Sequence, residues 1–264
     1  MYKLIAIDMD GTLLNDNHII SEKSIEIIKE LSSLGSEVVL CTGRGPTSTK
    51  FYTDIIGING VGITFNGAIT IDFENNQIIN QYAINAPQLE SFMSYCRKHQ
   101  IHFDINTPFD LYVDKVEQMS KEIGDIYASF YIHPRSLPQF DSLADPLIKF
   151  TCIGTSEQLN QLQIDLSLLS QELNITRSAD TFIDVLNIQA DKGNALKNLA
   201  ELRGIKKEEI LAIGNYYNDI TMLESAGLGI AMDNSPEELK LLADDITLSN
   251  NEDGVYHALQ KYCF

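Results

Sequence analysis

The apolar residues of this chain fall into short unbroken runs and longer helical stripes that follow one another from the N-terminus. Residues 4–7, Leu-Ile-Ala-Ile with Lys3 at their edge, have the pattern of a strand buried on both faces of a parallel sheet. The run stops at Asp8-Met9-Asp10-Gly11, and 13–20 is polar enough for a loop or small hairpin. Ser21 stands where a helix N-cap belongs. Ile25, Ile27, Ile28, Leu31 and Leu34 follow at helical spacing, and Gly35 closes the segment. A second apolar strand over 37–41 ends at Thr42-Gly43-Arg44, Pro46 opens a helix to about residue 56, and a third strand over 61–64 ends at Asn66-Gly67. This succession predicts a doubly wound parallel sheet, whose ligands sit beyond the carboxyl ends of the strands.

From residue 69 the pattern changes. Asn75-Asn76 separates two short apolar runs as in an antiparallel hairpin. A helix over 87–99, strands over 101–105 and 111–113, an irregular Pro-bearing stretch to 146, a strand over 147–153, a helix over 156–173 and strands near 175 and over 182–186 predict an inserted α+β module. Doubly wound character returns at Lys192-Gly193, which opens a helix through Arg203. A strand over 210–213 ends at Gly214-Asn215-Tyr216-Tyr217-Asn218-Asp219 and leads into another helix. A strand over 228–231 and helices over 236–242 and 254–263 close the chain. The expected organisation is α/β: a Rossmann-like core from 1–84 and 188–264, with the α+β module over 85–187 inserted in it.

Composition narrows the partners. Of 264 residues, 44% are hydrophobic and 21% charged, as in ordinary globular proteins, but the net charge is −18 and no Lys/Arg block occurs. Such a surface repels nucleic acid and anionic membranes, which excludes both as partners. An anionic ligand would have to be drawn in locally, by a few cations or a metal. The cysteines Cys41, Cys96, Cys152 and Cys263 form no Cys-x-x-Cys pair, and a reducing cytosol is expected. No apolar run is long enough to span a membrane, and a strand that begins at residue 3 is no signal peptide. The expected location is cytoplasmic.

The strand ends carry the chemistry. Asp8 and Asp10 leave their strand on the same side, so their charges must be compensated, usually by a divalent cation. An Asx-type turn also fits Asp-Gly. The remaining strand ends add Thr42, Gly43, Lys192, Asn215, Asn218 and Asp219. Carboxylates and amide oxygens suit a hard cation, while a hydroxyl, glycine amides and an ammonium suit a phosphate. With its surroundings neutralised, one carboxylate can attack phosphorus to form an aspartyl-phosphate. The other can protonate the leaving oxygen and then activate water. Plainer readings make Thr42 the cap of the next helix, Lys192 a solvated first-turn residue, and Asn218 and Asp219 helix caps. Arg44 reads as a surface or substrate-side residue, and the five histidines, His18 among them, as ordinary surface or core residues.

The ordered set Asp8-Met9-Asp10-Gly11-Thr12-Leu13-Leu14, Thr42-Gly43-Arg44, Lys192-Gly193 and Gly214-Asn215-x-x-Asn218-Asp219 resembles the four motifs of the haloacid dehalogenase (HAD) superfamily. More narrowly it resembles the Cof-type phosphatases, which carry a large α/β cap of the C2 type between the second and third motifs. The resemblance implies that Asp8 is the nucleophile and a metal ligand. Asp10 becomes the general acid/base, with its backbone carbonyl on the metal. Thr42, Gly43, Lys192 and Asn218 become phosphate contacts, with Arg44 a further candidate. Asp219 either reaches the metal or holds Lys192. The implied cofactor is Mg²⁺ and the implied substrate a small phosphorylated metabolite, sugar phosphates first. Segments 102–108 and 184–187 would shape the leaving-group pocket. One position departs: the fourth motif usually opens Gly-Asp, and here it is Gly214-Asn215. Asparagine keeps an oxygen without the charge, so Mg²⁺ should bind more weakly. The departure keeps a non-catalytic binding or regulatory protein as a rival, beside a sugar phosphomutase using the same intermediate.

Overall fold

A computed structural model describes residues 2–129, 132–167 and 172–264. Strands β1 (Leu4–Asp8), β2 (Glu37–Cys41) and β3 (Val61–Thr64) alternate with helices α1 (Glu22–Ser33) and α2 (Pro46–Ile56) and pair in parallel. β4 (Ile69–Asp72) and β5 (Gln77–Gln81) extend that edge antiparallel. On its other side β1 pairs with β12 (Ile210–Gly214), followed by β13 (Leu228–Ala231) and β14 (Asp245–Ile246), all in parallel. β1 is thus the middle of an eight-stranded sheet. Ile5 and Ile7 pack toward α1, α2 and α9 (Gly254–Cys263). Leu4 and Ala6 pack toward α6 (Lys192–Arg203), α7 (Ile220–Ser225) and α8 (Glu237–Leu242). Helices cover both faces, which is why this strand has no polar position until it reaches Asp8.

A second sheet of six strands has the order β10 (Leu173–Ala179), β11 (Phe182–Asn187), β9 (Lys149–Ile153), β6 (His102–Asn106), β7 (Leu111–Val113) and β8 (Arg135–Ser136). Its strands run antiparallel except for the β7–β8 pair. Alternate residues Phe103, Ile105, Phe150, Cys152, Ile183 and Val185 pack with Leu89, Phe92 and Cys96 of α3 (Ala86–His99) and with Leu159 and Leu162 of α5 (Ser156–Ser167). The pleat turns the intervening residues to the opposite face. There the register aligns Asp104, Thr151 and Asp184 in one row, and Asn106, Lys149 and Leu186 in the next.

The α/β class and the elements over 4–64 and 192–263 stand close to where the apolar pattern puts them. The stretch expected to be irregular up to residue 146 instead contains α4 (Lys121–Ser129). Its apolar side chains Ile123, Ile126 and Tyr127 pack on one side, but they span little more than one turn and Gly124 stands among them, so the stripe is too short to stand out in the sequence. The helix expected over 156–173 is described to Ser167, Leu173 already belongs to β10, and 168–171 lie outside the described residues. Among the described residues no helix is long and apolar enough to cross a membrane.

Candidate active site

Asp8 is the last residue of β1, and Lys192 is the first of α6, whose N-cap Asp191 accepts from Asn194 N at 2.8 Å. Gly193 explains how α6 comes so near: a β-carbon there would lie 2.3 Å from the Thr221 carbonyl oxygen of α7. The Lys192 Nζ donates to Asp8 Oδ1 and to Asp219 Oδ1, each at 2.6 Å, in full burial. Asp219 Oδ2 accepts from the backbone N–H groups of Asn215 (2.8 Å) and Tyr216 (3.0 Å), so both its oxygens are engaged. Its bond to Tyr216 N closes the capping box of the single helical turn Tyr217–Asp219, but its side chain does not cap α7; its other oxygen holds Lys192. Burial, and then the charge of Asp219, push the Asp8 carboxyl up against the opposing pull of Lys192. Burial alone would lower Lys192, but the two carboxylates outweigh it and keep the ammonium protonated.

Beyond Asp8 the chain turns at Gly11, which has φ +78° and leaves room for the side chain of Asn215. One terminal atom of the Asn215 amide lies 3.1 Å from Asp8 Oδ2, 3.1 Å from the Asp10 carbonyl oxygen and 3.2 Å from Thr12 Oγ1. Turned one way, the amide nitrogen donates to all three. Turned the other way, its oxygen faces two further oxygens with no proton between them, a crowding that a cation relieves. Octahedral Mg²⁺ sets neighbouring oxygen ligands about 3.0 Å apart, so one carboxylate, one carbonyl and one amide here fit such an ion. Among the described residues no three His, Cys, Asp or Glu side chains converge as a metal cage; the fit rests on this mixed set.

Of the two readings offered for Arg44, the surface one fails: the residue is buried, though it borders the space between the two sheets. Its Nε donates to Asp10 Oδ2 at 2.7 Å and its Nη2 to Asp10 Oδ1 at 2.5 Å, while Nη1 reaches Ser48 Oγ at 3.2 Å. Burial would raise the Asp10 carboxyl, yet this two-pronged grip holds it well below the usual carboxylate range. Nor does Thr42 cap α2. The N-cap of that helix is Gly45, and Thr42 Oγ1 accepts from Arg44 N at 3.1 Å. Asn218 Nδ2 donates to Asn66 Oδ1 at 3.0 Å, and Asn66 Nδ2 to Asp184 Oδ2 of the second sheet at 2.6 Å. A cavity of about 820 Å³ separates the two sheets. Asp8, Asp10, Gly43, Arg44, Asn215 and Asn218 stand on one side of it, and Asp104, Asn106, Lys149, Thr151 and Asp184 on the other. Thr42, Lys192 and Asp219 are buried behind the first group.

Residues 5–259 match a family model described as haloacid dehalogenase-like hydrolase. The chain belongs to that family. Within it the hydrolase groups with the Cof-type phosphatases, as its motifs imply. It is 32% identical over 260 residues to the 5-amino-6-(5-phospho-D-ribitylamino)uracil phosphatase YcsE of Bacillus subtilis, covering 98% of this chain and 95% of that one. It is 28% identical over 285 residues to the phosphatase YwpJ of the same organism, covering 98% and 99%. A crystal structure of a haloacid dehalogenase-like hydrolase from B. subtilis superposes with a TM-score of 0.88 at 26% identity, covering 99% of this hydrolase and 100% of that chain.

The second wall of the hydrolase was only partly foreseen. The expected segments 102–108 and 184–187 contribute Asp104, Asn106 and Asp184, but Lys149 and Thr151 were missed. Their signal is the alternation of polar and apolar residues in Lys149-Phe150-Thr151-Cys152, which a buried-strand reading passes over. His18 was read as ordinary, yet its Nδ1 lies 3.4 Å from Arg44 Nη2 and 3.7 Å from Asp10 Oδ1. No spacing in the sequence announces that contact.

Proposed function

We propose that this phosphoric monoester hydrolase is an Mg²⁺-dependent phosphatase of small phosphorylated metabolites, sugar phosphates first, working through an aspartyl-phosphate on Asp8. The observation that carries this reading is the buried Lys192 ammonium bridging Asp8 Oδ1 and Asp219 Oδ1 while Asp8 itself opens on the cavity. Kinship to a phosphatase of a phosphorylated ribityl group supports the substrate class.

In this reading the phosphoryl group sits at the carboxyl ends of β1 and β2, against Gly43, Asn218 and the hydroxyl of Thr42. Lys192 neutralises the nucleophile and the phosphoryl oxygens. An Asp8 carboxylate oxygen attacks phosphorus, and the bond to the leaving oxygen breaks as Asp10, turned from Arg44 and having taken up a proton from solvent, gives that proton to the leaving oxygen. Asp10 then takes a proton from water, which attacks the same phosphorus and returns Asp8 and inorganic phosphate. Asp8, the Asp10 carbonyl and Asn215 would hold Mg²⁺, which supplies positive charge to the phosphoryl oxygens.

The test is hydrolysis of an aryl phosphate with Mg²⁺, abolished in Asp8→Asn. The Asn215 amide favours a second reading, a binding protein that kept the fold and lost efficient turnover, because its nitrogen can close the same oxygens without a metal. Wild-type turnover no faster than that of Asp8→Asn would establish this alternative.

A further inference from the structure

Lys149 opens β9 and is nearly buried, where an ammonium survives only with its partners in place. Its Nζ lies 3.1 Å from Asp184 Oδ1, 3.0 Å from the Gly43 carbonyl oxygen and 5.3 Å from the centre of the Phe65 ring. Asp184 is itself fixed, since Oδ1 accepts from Thr151 Oγ1 at 3.2 Å and Oδ2 from Asn66 Nδ2 at 2.6 Å. The carbonyl that Lys149 engages belongs to the same peptide group as the Arg44 N–H, and that N–H donates to Thr42 Oγ1 at 3.1 Å. An unbroken relay therefore runs from the second sheet into the loop at the end of β2.

We propose that Lys149, held by Asp184, is a positioning residue that sets the Thr42 hydroxyl for the phosphoryl group. A charged donor on a peptide oxygen polarises the group and strengthens donation from its N–H. A hydroxyl that accepts there keeps its own proton for another partner. The Gly43–Arg44 peptide is thus tightened by a side chain from the facing sheet, and the loop is set when the two sheets are docked. The inference rests on reading Thr42 and Gly43 as phosphate contacts.

Inorganic phosphate, used as a competitive inhibitor of aryl phosphate hydrolysis by the full chain, probes that loop without any leaving group. Lys149→Met is expected to weaken phosphate inhibition about tenfold and to lower kcat/KM by a similar factor for aryl and sugar phosphates alike. Thr42→Val should cost much less in the Lys149→Met background than in the wild type, because the two act on one hydroxyl. Equal costs in both backgrounds overturn the relay. So does a loss confined to one leaving group with phosphate inhibition unmoved, which would make Lys149 a leaving-group contact. Lys149→Arg keeps a charged donor and covers the case in which the methionine variant does not fold. Phosphate inhibition within about threefold of wild type is expected for it, and a loss of about tenfold or more sinks the proposal. A wild type that neither hydrolyses phosphate esters nor binds phosphate by calorimetry overturns the phosphatase reading, and the relay with it; the earlier outcomes sink the relay alone.

Discussion

On the cavity wall formed by the first sheet, each charge meets an opposite from a distant part of the chain: Lys192 between Asp8 and Asp219, Arg44 on Asp10. On the facing wall, Asp104, Thr151 and Asp184 lie side by side on three adjacent strands, placed there by register alone. The first arrangement depends on where parallel strands end and helices begin, so a change of residue type breaks it. The second depends on the pleat, which holds whatever side chain stands at alternate positions. The two walls therefore suit two tasks. In the proposed reading, chemistry belongs to the wall whose ion pairs join distant parts of the chain. Selection of the leaving group belongs to Asp104 and its neighbours on the facing wall, with Lys149 of that wall turned instead to the phosphoryl loop.

The sharpest way to break this contrast is to compare single substitutions across the cavity. Asp8→Asn is expected to lower turnover about 10⁴-fold or more for every phosphate ester, since no other carboxylate stands in its place. Asp104→Asn should cost about tenfold or less, by a factor that changes with the leaving group. Steady-state kinetics on three or more esters measures both, and a uniform 10⁴-fold loss in Asp104→Asn would erase the division of labour. Stability should show the same asymmetry. Lys192→Met leaves Asp8 and Asp219 buried without their shared cation and is expected to cost about 3–5 kcal/mol. Lys149→Met leaves Asp184 with hydrogen bonds from Thr151 and Asn66 and should cost about 1–2 kcal/mol. Urea unfolding of both variants checks the order.

The walls also differ in how far the sequence reveals them. Asp8, Thr42, Lys192 and Asn215 stand at the ends of apolar runs or the starts of helical stripes, so their place follows from topology before any contact is known. Lys149 and Thr151 occupy a strand whose other residues are apolar, and only the pairing partners of β9 show that its polar face meets a cavity. Arg44 illustrates a third case. Its position beside Thr42 was legible, but its grip on Asp10 joins two loops whose side chains carry no shared spacing. Asn215 was visible as a departure, though not how closely its amide stands in for an ion. Its replacement sharpens the first wall: Asn215→Asp removes the competing amide donor and adds a charge. Apparent Mg²⁺ affinity is expected to rise about tenfold, read as a larger Mg²⁺-induced shift in Tm. Equal shifts in variant and wild type would remove Asn215 from the metal site.

The smallest expected effect is read by pH, at Asp104 on the second wall and Asp10 on the first. Burial, aided by the charge of Asp184, pushes the Asp104 carboxyl up to about 6 even though Lys149, Tyr127 and Asn106 favour its charged form. The folded protein therefore holds this proton more tightly than the unfolded chain does, and stability falls as pH rises through the window up to about 6, then levels off. Asp10 has the opposite sign. Arg44 lowers it, so its contribution is complete above the ordinary carboxylate range and is lost only at lower pH. Between pH 5 and pH 8 Asp10 adds no slope. Asp8, also pushed up by burial, adds the same slope to wild type and to Asp104→Asn, so the difference between them is that of Asp104 alone. Wild type should lose about 1 kcal/mol relative to Asp104→Asn over that interval, measured from urea midpoints at the two pH values. Parallel pH profiles would mean that Asp104 carries its charge as comfortably as Asp10 does. The expected divergence would instead mark Asp104 as a carboxylate whose burial outweighs the hydrogen bonds it accepts from Asn106 and Tyr127.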